Sequence, residues 1–191
     1  MRGQTGFKPQ LSARQIAQRT FPSVVVLVAE TSNNGSSSLG SGFFIDTDVV
    51  VTSYHVIKGA TKIVAKIVGQ RRLYDVSVII RIDEERDLAL LKVEGAKARP
   101  LRVATSYRAG VGDLVYVAGN PEGLEGTFSE GIVSALRGKK YIQITAPISH
   151  GSSGGPVLNR RGEVIGVAAG AIEEGQNLNF AIPISQFLLL T

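Results

Sequence analysis

The sequence predicts an all-β protein whose strands form antiparallel barrels or a sandwich. About twelve short runs of strand-forming residues, six in each half, are separated by frequent turn signals, and the 191 residues include 22 glycines. Antiparallel hairpins produce this pattern, whereas βαβ units would place a helical segment between successive strands. The chain is also long enough to bury a full hydrophobic core.

The elements follow one another in a simple order. The stretch LSARQIAQRTF, residues 11–21, has apolar residues near helical spacing and is followed by Pro22, which predicts one short N-terminal helix. Six strand-like runs then extend from SVVVLVAE to DLALLKV, and six more from DLVYVAG to NLNFAIP. The turn-rich stretch EGAKARPLRVATSYRAG links the two halves.

Composition and charge exclude several classes of protein. No apolar run approaches the ~20 residues that a membrane-spanning helix needs. The net charge of +5 is mild, and the basic residues are scattered rather than clustered with aromatics, so we expect no nucleic-acid partner. Because the chain has no cysteine, it contains neither a disulfide framework nor a thiolate metal site.

The chain has only two histidines, His55 and His150, that are available as a catalytic base. His55 directly follows the strand-like run VVVTS, and a strand end can present an imidazole at the mouth of a barrel. His150 lies three residues before Ser153 in the same turn, where the chain would struggle to direct its ring at that hydroxyl. We therefore take His55 as the candidate base and His150 as a neighbouring residue.

A histidine base usually needs a carboxylate that holds its tautomer, and six aspartates are available for this role. Asp87 precedes the alternating apolar run LALLKV, which favours the half-buried start of a strand, with a strand-initiating surface charge as an equal alternative. Asp83 precedes the charged residues EER and is expected to face solvent, and Asp113 is expected in a turn. The six are Asp46, Asp48, Asp75, Asp83, Asp87 and Asp113.

The candidate nucleophile lies in SHGSSGGP, residues 149–156, which also fits the G-x-S-x-G turn of α/β-hydrolases. Those enzymes place their histidine after the serine, and no histidine follows Ser153. The order available here, His55 then Asp87 then Ser153, is that of chymotrypsin-type barrels. The strand pattern favours the same class.

From FPSVVVLVAE to FAIP, about 165 residues, the chain resembles the trypsin-like serine proteases of the HtrA (Deg) family. The resemblance rests on five segments in order: GSGFFID with VVTSYHV, RDLALLKV, VGDLVYVAGNPEGLEGTFSEGIVSAL, GSSGGPVLNRRGEVIGV and NLNFAIP. It implies two antiparallel six-stranded β-barrels. Residues 1–20 would form an N-terminal segment with a short helix, and residues 21–187 the protease domain, with barrels at about 21–100 and 110–187.

The resemblance also implies roles for individual residues. His55 would act as general base and then acid, Asp87 would orient it, and Ser153 would be the nucleophile. The backbone N–H groups of Gly151 and Ser153 would form the oxyanion hole. Ser149 and Ser152 are expected to be scaffold, and Ser152 replaces both the aspartate of digestive zymogens and the usual asparagine of the HtrA family. We further expect the peptide between His150 and Gly151 to flip and so switch the oxyanion hole.

Substrate preference is expected to follow from the S1 pocket. In this fold, the pocket is lined by the segment before the nucleophile and the strand after it, and neither contains an acidic residue. A small apolar pocket of this kind predicts cleavage after small or medium aliphatic residues. The expected lining residues are Ile148, Ala168, Ala169 and Ala171.

The family resemblance implies unfolded polypeptide substrates, a periplasmic or other extracytoplasmic location, and a homotrimer formed through the N-terminal segment. Phe7 and Phe21 are candidate trimer contacts, with packing in the core as an equal alternative. The sequence ends soon after the last barrel motif, so no PDZ domain is expected in this chain.

The leading hypothesis is an ATP-independent serine endopeptidase acting on unfolded or misfolded protein, with no metal and no organic cofactor. A chaperone-like module that binds polypeptide with little cleavage is the alternative from another class. Hydrolysis of small esters is a third reading, and no feature of the sequence favours it.

Overall fold

The computed structural model describes residues 11–31, 36–120, 125–171 and 178–187. In this part of the chain a short N-terminal helix precedes twelve strands, and two further single-turn helices follow β3 and β12. The helices are α1 (Ala13–Thr20), α2 (Tyr54–Ile57) and α3 (Ile184–Phe187), with a 3₁₀ turn at Phe21–Ser23. The strands are β1 (Val24–Thr31), β2 (Ser37–Phe44), β3 (Val49–Thr52), β4 (Ala60–Ile67), β5 (Leu73–Asp83), β6 (Leu88–Val93), β7 (Leu114–Gly119), β8 (Thr127–Arg137), β9 (Tyr141–Ile144), β10 (Pro156–Leu158), β11 (Val164–Ala171) and β12 (Asn179–Pro183).

The strands form two closed antiparallel barrels of six, which confirms the predicted fold class. The first barrel has the order β1-β2-β3-β6-β5-β4, and the second has the order β10-β11-β12-β9-β8-β7. The first barrel uses only strands β1 to β6 and the second only β7 to β12, so each barrel is formed by one half of the chain.

Each barrel encloses its own apolar core, and a third cluster joins the two barrels. The first core includes Leu27, Phe44 and Leu91, and the second includes Val117, Ile144 and Val157, all at most 3% exposed. The joining cluster combines side chains from both halves, among them Phe43, Leu88, Leu158 and Val164. Strands that fill a barrel core with one face also supply this cluster with their other face, because successive strand residues point to opposite sides.

Helix α1 starts where the sequence predicts, because Ser12 supplies a complete capping box. The Ser12 side chain accepts a hydrogen bond from the Gln15 backbone N–H at 3.3 Å, and the Gln15 side chain accepts one from the Ser12 N–H at 2.9 Å. Ile16 is fully buried and anchors the helix to the cluster that joins the barrels.

Phe21 packs within the chain itself. Its ring contacts Phe128 of β8 edge-to-face, with centroids 6.2 Å apart, which favours the core reading for this residue. Phe7 lies outside the described residues, and the homotrimer stays a prediction. Among the residues that the structure describes, no helix is long and apolar enough to span a bilayer.

Candidate active site

The imidazole of His55 and the carboxylate of Asp87 lie in direct contact. His55 Nδ1 is 2.7 Å from Asp87 Oδ2, and the His55 backbone N–H donates to Asp87 Oδ1 at 2.8 Å. Because a carboxylate oxygen accepts, the contact favours the neutral tautomer in which Nδ1 carries the hydrogen and Nε2 has the lone pair. Both carboxylate oxygens therefore fix His55, one through its backbone and one through its ring.

Two short elements of the first barrel bring these residues together. His55 lies in α2, the single helical turn that follows β3, and Asp87 occupies the last position before β6. Since β3 and β6 pair in antiparallel orientation, the end of β3 lies beside the start of β6. The Tyr54 N–H donates to the Asp87 carbonyl at 3.1 Å and closes this junction.

The backbone of Asp87 has a left-handed conformation, with φ of +52°. Among the described non-glycine residues it is the only one with positive φ. Aspartate tolerates this region better than most side chains, and such strain is typical of functional sites. The sequence pattern predicted the half-buried position of Asp87 but gave no sign of its strained backbone.

Asp83, which was expected to face solvent, is instead largely buried at the end of β5, where the loop that holds Asp87 begins. Its side chain is 11% exposed and pairs with Arg86 Nη1 at 2.5 Å. Arg86 Nε donates in turn to Gln186 Oε1 of α3 at 2.9 Å. Burial raises the pKa of the Asp83 carboxyl, but hydrogen bonds from Arg86 outweigh this effect and lower the pKa below its ordinary value.

Asp113 lies in a turn before β7, as predicted. Its carboxylate accepts hydrogen bonds from the Gly110 N–H at 2.8 Å and from the Tyr107 hydroxyl. It therefore has a structural role at the start of the second barrel.

Ser153 lies in residues 149–155, two consecutive tight turns before β10 that together form the nucleophile turn. The Ser152 N–H donates to the Ser149 carbonyl at 2.9 Å, and φ at Gly151 is +88°. A four-residue turn closed by this bond, with positive φ at its third residue alone, is a type II turn. Glycine is required at position 151 because any side chain would be strained at this φ.

The nucleophile turn is docked between the two barrels. The Gly154 N–H donates to the Ala168 carbonyl of β11 at 2.7 Å, and the Ala168 N–H donates to the Gly155 carbonyl at 2.8 Å. On the other side, the Cα of Gly154 approaches the backbone of Ser53, two residues before His55. Within the described residues, no hydrogen bond joins the Ser153 hydroxyl to the imidazole, a separation common before substrate binds.

Gly154 lies where the second barrel packs tightly against Ser41, Thr52 and Ser53 of the first, so a methyl group there should lower stability. A Cβ at this position would overlap the Ser41 carbonyl oxygen and the Thr52 hydroxyl, and φ is +86°. We expect Gly154→Ala to lower the free energy of unfolding by about 3 kcal/mol or more, measured by urea denaturation. Gly112→Ala is the matched control, because Gly112 has φ of +90° and open space around it. The control should lose only the ~1–2 kcal/mol of a left-handed alanine, and equal losses in both variants would contradict the packing argument.

The structure brings together only part of the predicted S1 lining. Ile148 and Ala168 are buried in the core of the second barrel, 6% and 0% exposed. Ala169 instead packs against the cluster that joins the barrels, on the opposite face of β11. The side chain of Ala171 lies outside the described residues. The S1 assignment therefore stays a prediction, with Ala169 separated from the other two residues.

Two residues that sequence reasoning missed contact the site. Gly170 of β11 has φ of +119°, and a Cβ there would lie 3.6 Å from the Ser153 hydroxyl. Ser41 of β2 is fully buried and donates hydrogen bonds to the nucleophile turn from the first barrel. The sequence around Ser41, GSG, gave no sign of the direction of its hydroxyl.

Comparison with known proteins defines the class. Residues 40–167, about two thirds of the chain, match the model of the trypsin-like peptidase domain. The chain therefore belongs to the trypsin-like peptidase domain family. The crystal structure of the serine endoprotease from Yersinia pestis superposes with a TM-score of 0.84 at 30% identity, covering 95% of this chain and 66% of that one.

Three curated relatives match most of the chain, and two of them are named as serine proteases. A putative serine protease HhoA of Synechocystis sp. is 38% identical over 161 residues, 77% of this chain and 40% of that protein. A probable periplasmic serine endoprotease DegP-like of Pseudomonas putida is 32% identical over 183 residues, 90% of this chain and 38% of that protein. The anti-sigma-I factor RsgI9 of Acetivibrio thermocellus is 34% identical over 180 residues, 92% of this chain and 25% of that protein. The predicted trypsin-like class is confirmed, serine proteases of the HtrA (DegP) type are among the relatives, and the chain spans between a quarter and two fifths of these three proteins.

Proposed function

We propose that this chain is a serine endopeptidase that hydrolyses polypeptide through an acyl-enzyme on Ser153. The observation that carries the proposal is the contact of His55 Nδ1 with Asp87 Oδ2 at 2.7 Å, next to the docked turn that presents Ser153. In this arrangement, Asp87 orients His55 and His55 Nε2 is the base. The proposed chemistry uses neither a metal nor an organic cofactor.

In the acylation step, Ser153 Oγ attacks the scissile carbonyl carbon while His55 Nε2 takes the hydroxyl proton. The resulting imidazolium is stabilised by Asp87 and then donates that proton to the leaving amine as the C–N bond breaks. Water attacks the acyl-enzyme in the second half of the reaction, with His55 again acting as base and then returning the proton to Ser153 Oγ. Each proton that His55 accepts is thus passed on, and the enzyme returns to its starting state.

The oxyanion of each tetrahedral intermediate is assigned to the N–H groups of Gly151 and Ser153. The positive φ of Gly151 gives residues 149–152 type II geometry, in which the His150–Gly151 peptide is rotated by about 180° relative to a type I turn. Both turn types keep the same closing bond from the Ser152 N–H to the Ser149 carbonyl. The proposed switch of the oxyanion hole is therefore an exchange between type II and type I at residues 149–152.

Extended, unfolded polypeptide is the proposed substrate. Strand β11 pairs with β12 through Ala171 but with β10 only as far as Val167, and hydrogen bonds at Ala168 follow. Residues 169–171 therefore have one edge that no described strand covers, beside Ser153. A substrate segment can add to this edge by backbone pairing, which requires that it be unfolded.

We expect cleavage after valine, alanine or leucine. The walls proposed for S1 carry no acidic side chain that would receive lysine or arginine, and Ile148 and Ala168 make the neighbouring core apolar. A peptide library analysed by mass spectrometry measures the P1 profile directly. A profile dominated by arginine or lysine would contradict the assignment.

The proposed function is tested by treating the folded protein with a labelled fluorophosphonate and mapping the adduct by mass spectrometry. Only an activated serine reacts, so the expected result is a single adduct on Ser153. An adduct on another serine would reject Ser153 as nucleophile, and no adduct would reject the hydrolytic mechanism.

A polypeptide-binding module with little catalysis is the second candidate. The relative that matches 92% of this chain is named an anti-sigma factor rather than a protease, so this fold occurs in proteins named for another activity. Casein digestion by the wild type and by Ser153→Ala separates the two candidates. Intact casein in both samples, with casein retained by the protein, would favour the binding module.

A further inference from the structure

A buried serine of the first barrel contacts the nucleophile turn at two points. The Ser41 hydroxyl donates to the Gly151 carbonyl at 2.7 Å, and the Ser41 backbone N–H donates to the Ser153 carbonyl at 2.8 Å. Gly151 and Ser153 are the two residues whose N–H groups are assigned to the oxyanion hole. We propose that Ser41 is a positioning residue that aligns both oxyanion donors, an inference that rests on the proposed function.

The direction of the Ser41 hydroxyl is fixed by its neighbours. Its oxygen accepts hydrogen bonds from the Asn120 backbone N–H at 2.9 Å and from Asn120 Nδ2 at 3.1 Å. A hydroxyl has two acceptor positions and one hydrogen, and both acceptor positions are filled by groups that only donate. The hydrogen is therefore left for the Gly151 carbonyl, and no rotation of the hydroxyl offers a better arrangement.

Asn120 is itself held in one orientation. Its Nδ2 also donates to the Val25 carbonyl at 3.0 Å, and its Oδ1 accepts from the Gly126 N–H at 3.1 Å. A flipped amide would set its oxygen against the Val25 carbonyl and its nitrogen against the Gly126 N–H. Ser41 and Asn120 are 0% and 1% exposed, so water does not compete for these bonds.

The Gly151–Ser152 peptide is consequently held at both ends. Its carbonyl accepts from the Ser41 hydroxyl, and its N–H donates to the Ser149 carbonyl at 2.9 Å. The preceding peptide, which carries the Gly151 N–H, is thus attached to a fixed Cα and a fixed following plane. Ser41 therefore fixes the position of the Gly151 N–H group, and the turn type fixes the direction of that N–H.

Replacing Ser41 by alanine keeps its backbone bond to Ser153 but removes the bond to Gly151. Complete removal of one oxyanion donor costs about 10²- to 10³-fold in kcat, and a misaligned donor should cost less. We expect Ser41→Ala to lower kcat for a valine-containing peptide by about 10- to 100-fold while KM changes by less than about two-fold. Ser41→Thr, which keeps a hydroxyl, should recover part of the loss.

Ser23→Ala is the matched control. Ser23 is 1% exposed, and its hydroxyl donates to the Arg99 carbonyl at 2.5 Å, so the substitution removes the same kind of buried bond outside the turn. It should shift the urea midpoint of unfolding in the same direction as Ser41→Ala and leave kcat within about two-fold. Asn120→Ala is a second probe, because it loosens the hydroxyl without removing it, and a smaller loss of kcat is expected.

Two further measurements distinguish misalignment of the oxyanion donors from a general loss of protein stability. A tripeptide aldehyde ending in valine forms an oxyanion on Ser153, whereas the matched peptide alcohol does not. Ser41→Ala should weaken the aldehyde by about 10-fold or more relative to the alcohol, and Ser23→Ala should leave that ratio unchanged. Hydrogen exchange at the Ser152 N–H, which needs no activity, should be about 10-fold faster in Ser41→Ala alone.

An unchanged aldehyde-to-alcohol ratio in folded Ser41→Ala, or an equal change in Ser23→Ala, would overturn the proposal. If Ser41→Ala does not fold, the Asn120→Ala result decides by the same ratio. Failure of the proposed function looks different, since the wild type would then neither react with the fluorophosphonate nor prefer the aldehyde. Hydrogen exchange at Ser152 would in that case still decide whether Ser41 restrains the turn.

Discussion

Ser153→Ala is expected to lower kcat for casein hydrolysis by about 10⁵- to 10⁶-fold, because the acyl-enzyme needs the serine oxygen. The residual rate should reflect only binding and the oxyanion donors, which the substitution leaves in place. Loss of intact casein on gels and release of soluble peptides measure the effect. Binding of unfolded polypeptide should survive, since the backbone edge of β11 does not involve the Ser153 side chain.

Ser149→Ala is the matched control for this substitution. Ser149 lies in the same turn, its side chain is exposed, and its part in the turn is played by its backbone carbonyl. Wild-type activity in Ser149→Ala together with loss in Ser153→Ala would assign the chemistry to one hydroxyl. Comparable casein digestion by Ser153→Ala and the wild type would remove Ser153 from the mechanism.

Asp87→Asn should lower kcat by about 10³- to 10⁴-fold with little change in KM. The His55 backbone N–H requires an acceptor, so the amide oxygen of the new asparagine stays beside it and the amide nitrogen faces His55 Nδ1. That nitrogen donates, which forces the hydrogen of the imidazole onto Nε2. The base then has no lone pair directed at Ser153.

Asp83→Asn controls for general damage to the same loop. The substituted residue lies four positions before Asp87, and the change weakens its ion pair with Arg86. It should therefore lower the free energy of unfolding while kcat stays within about three-fold. The folded-state pKa of Asp83 is depressed, so its stabilisation is present above its ordinary pKa of 3.8 and is lost as pH falls below it. The difference in unfolding free energy between wild type and Asp83→Asn should accordingly be larger at pH 7 than at pH 3. An equal loss of kcat in both variants would show that the loop, rather than the tautomer, limits activity.

The strands were predictable because short runs of strand-forming apolar residues are bounded by turn residues, as in VVVLVAET of β1 and LALLKV of β6. The start of β2 is harder to see in the sequence, because the strand begins at Ser37 inside a serine- and glycine-rich stretch. Pairing with β1 from Glu30↔Ser37 onward imposes the strand there. Tertiary pairing thus overrides weak local preference.

The contact of His55 with Asp87 was predictable from sequence, but the residues that support the candidate site were not. The pattern around each residue favoured His55 over His150 and Asp87 among six aspartates, and their order before Ser153 agreed with chymotrypsin-type barrels. The left-handed backbone of Asp87 and the hydrogen bonds of Ser41 and Asn120 depend on contacts between strands far apart in sequence. No local pattern encodes the direction of a buried hydroxyl, so these features required the folded chain.

The division of the site between two barrels has a consequence for how the protein is made. His55 and Asp87 belong to the first barrel and Ser153 to the second, and their meeting depends on contacts such as that of Gly154 with Ser53. Under the proposed mechanism, a nascent chain in which only the first barrel has formed would have the base without the nucleophile. Hydrolysis would then begin only after the second barrel has folded and docked, so an unfinished molecule would not cleave other unfolded copies during synthesis.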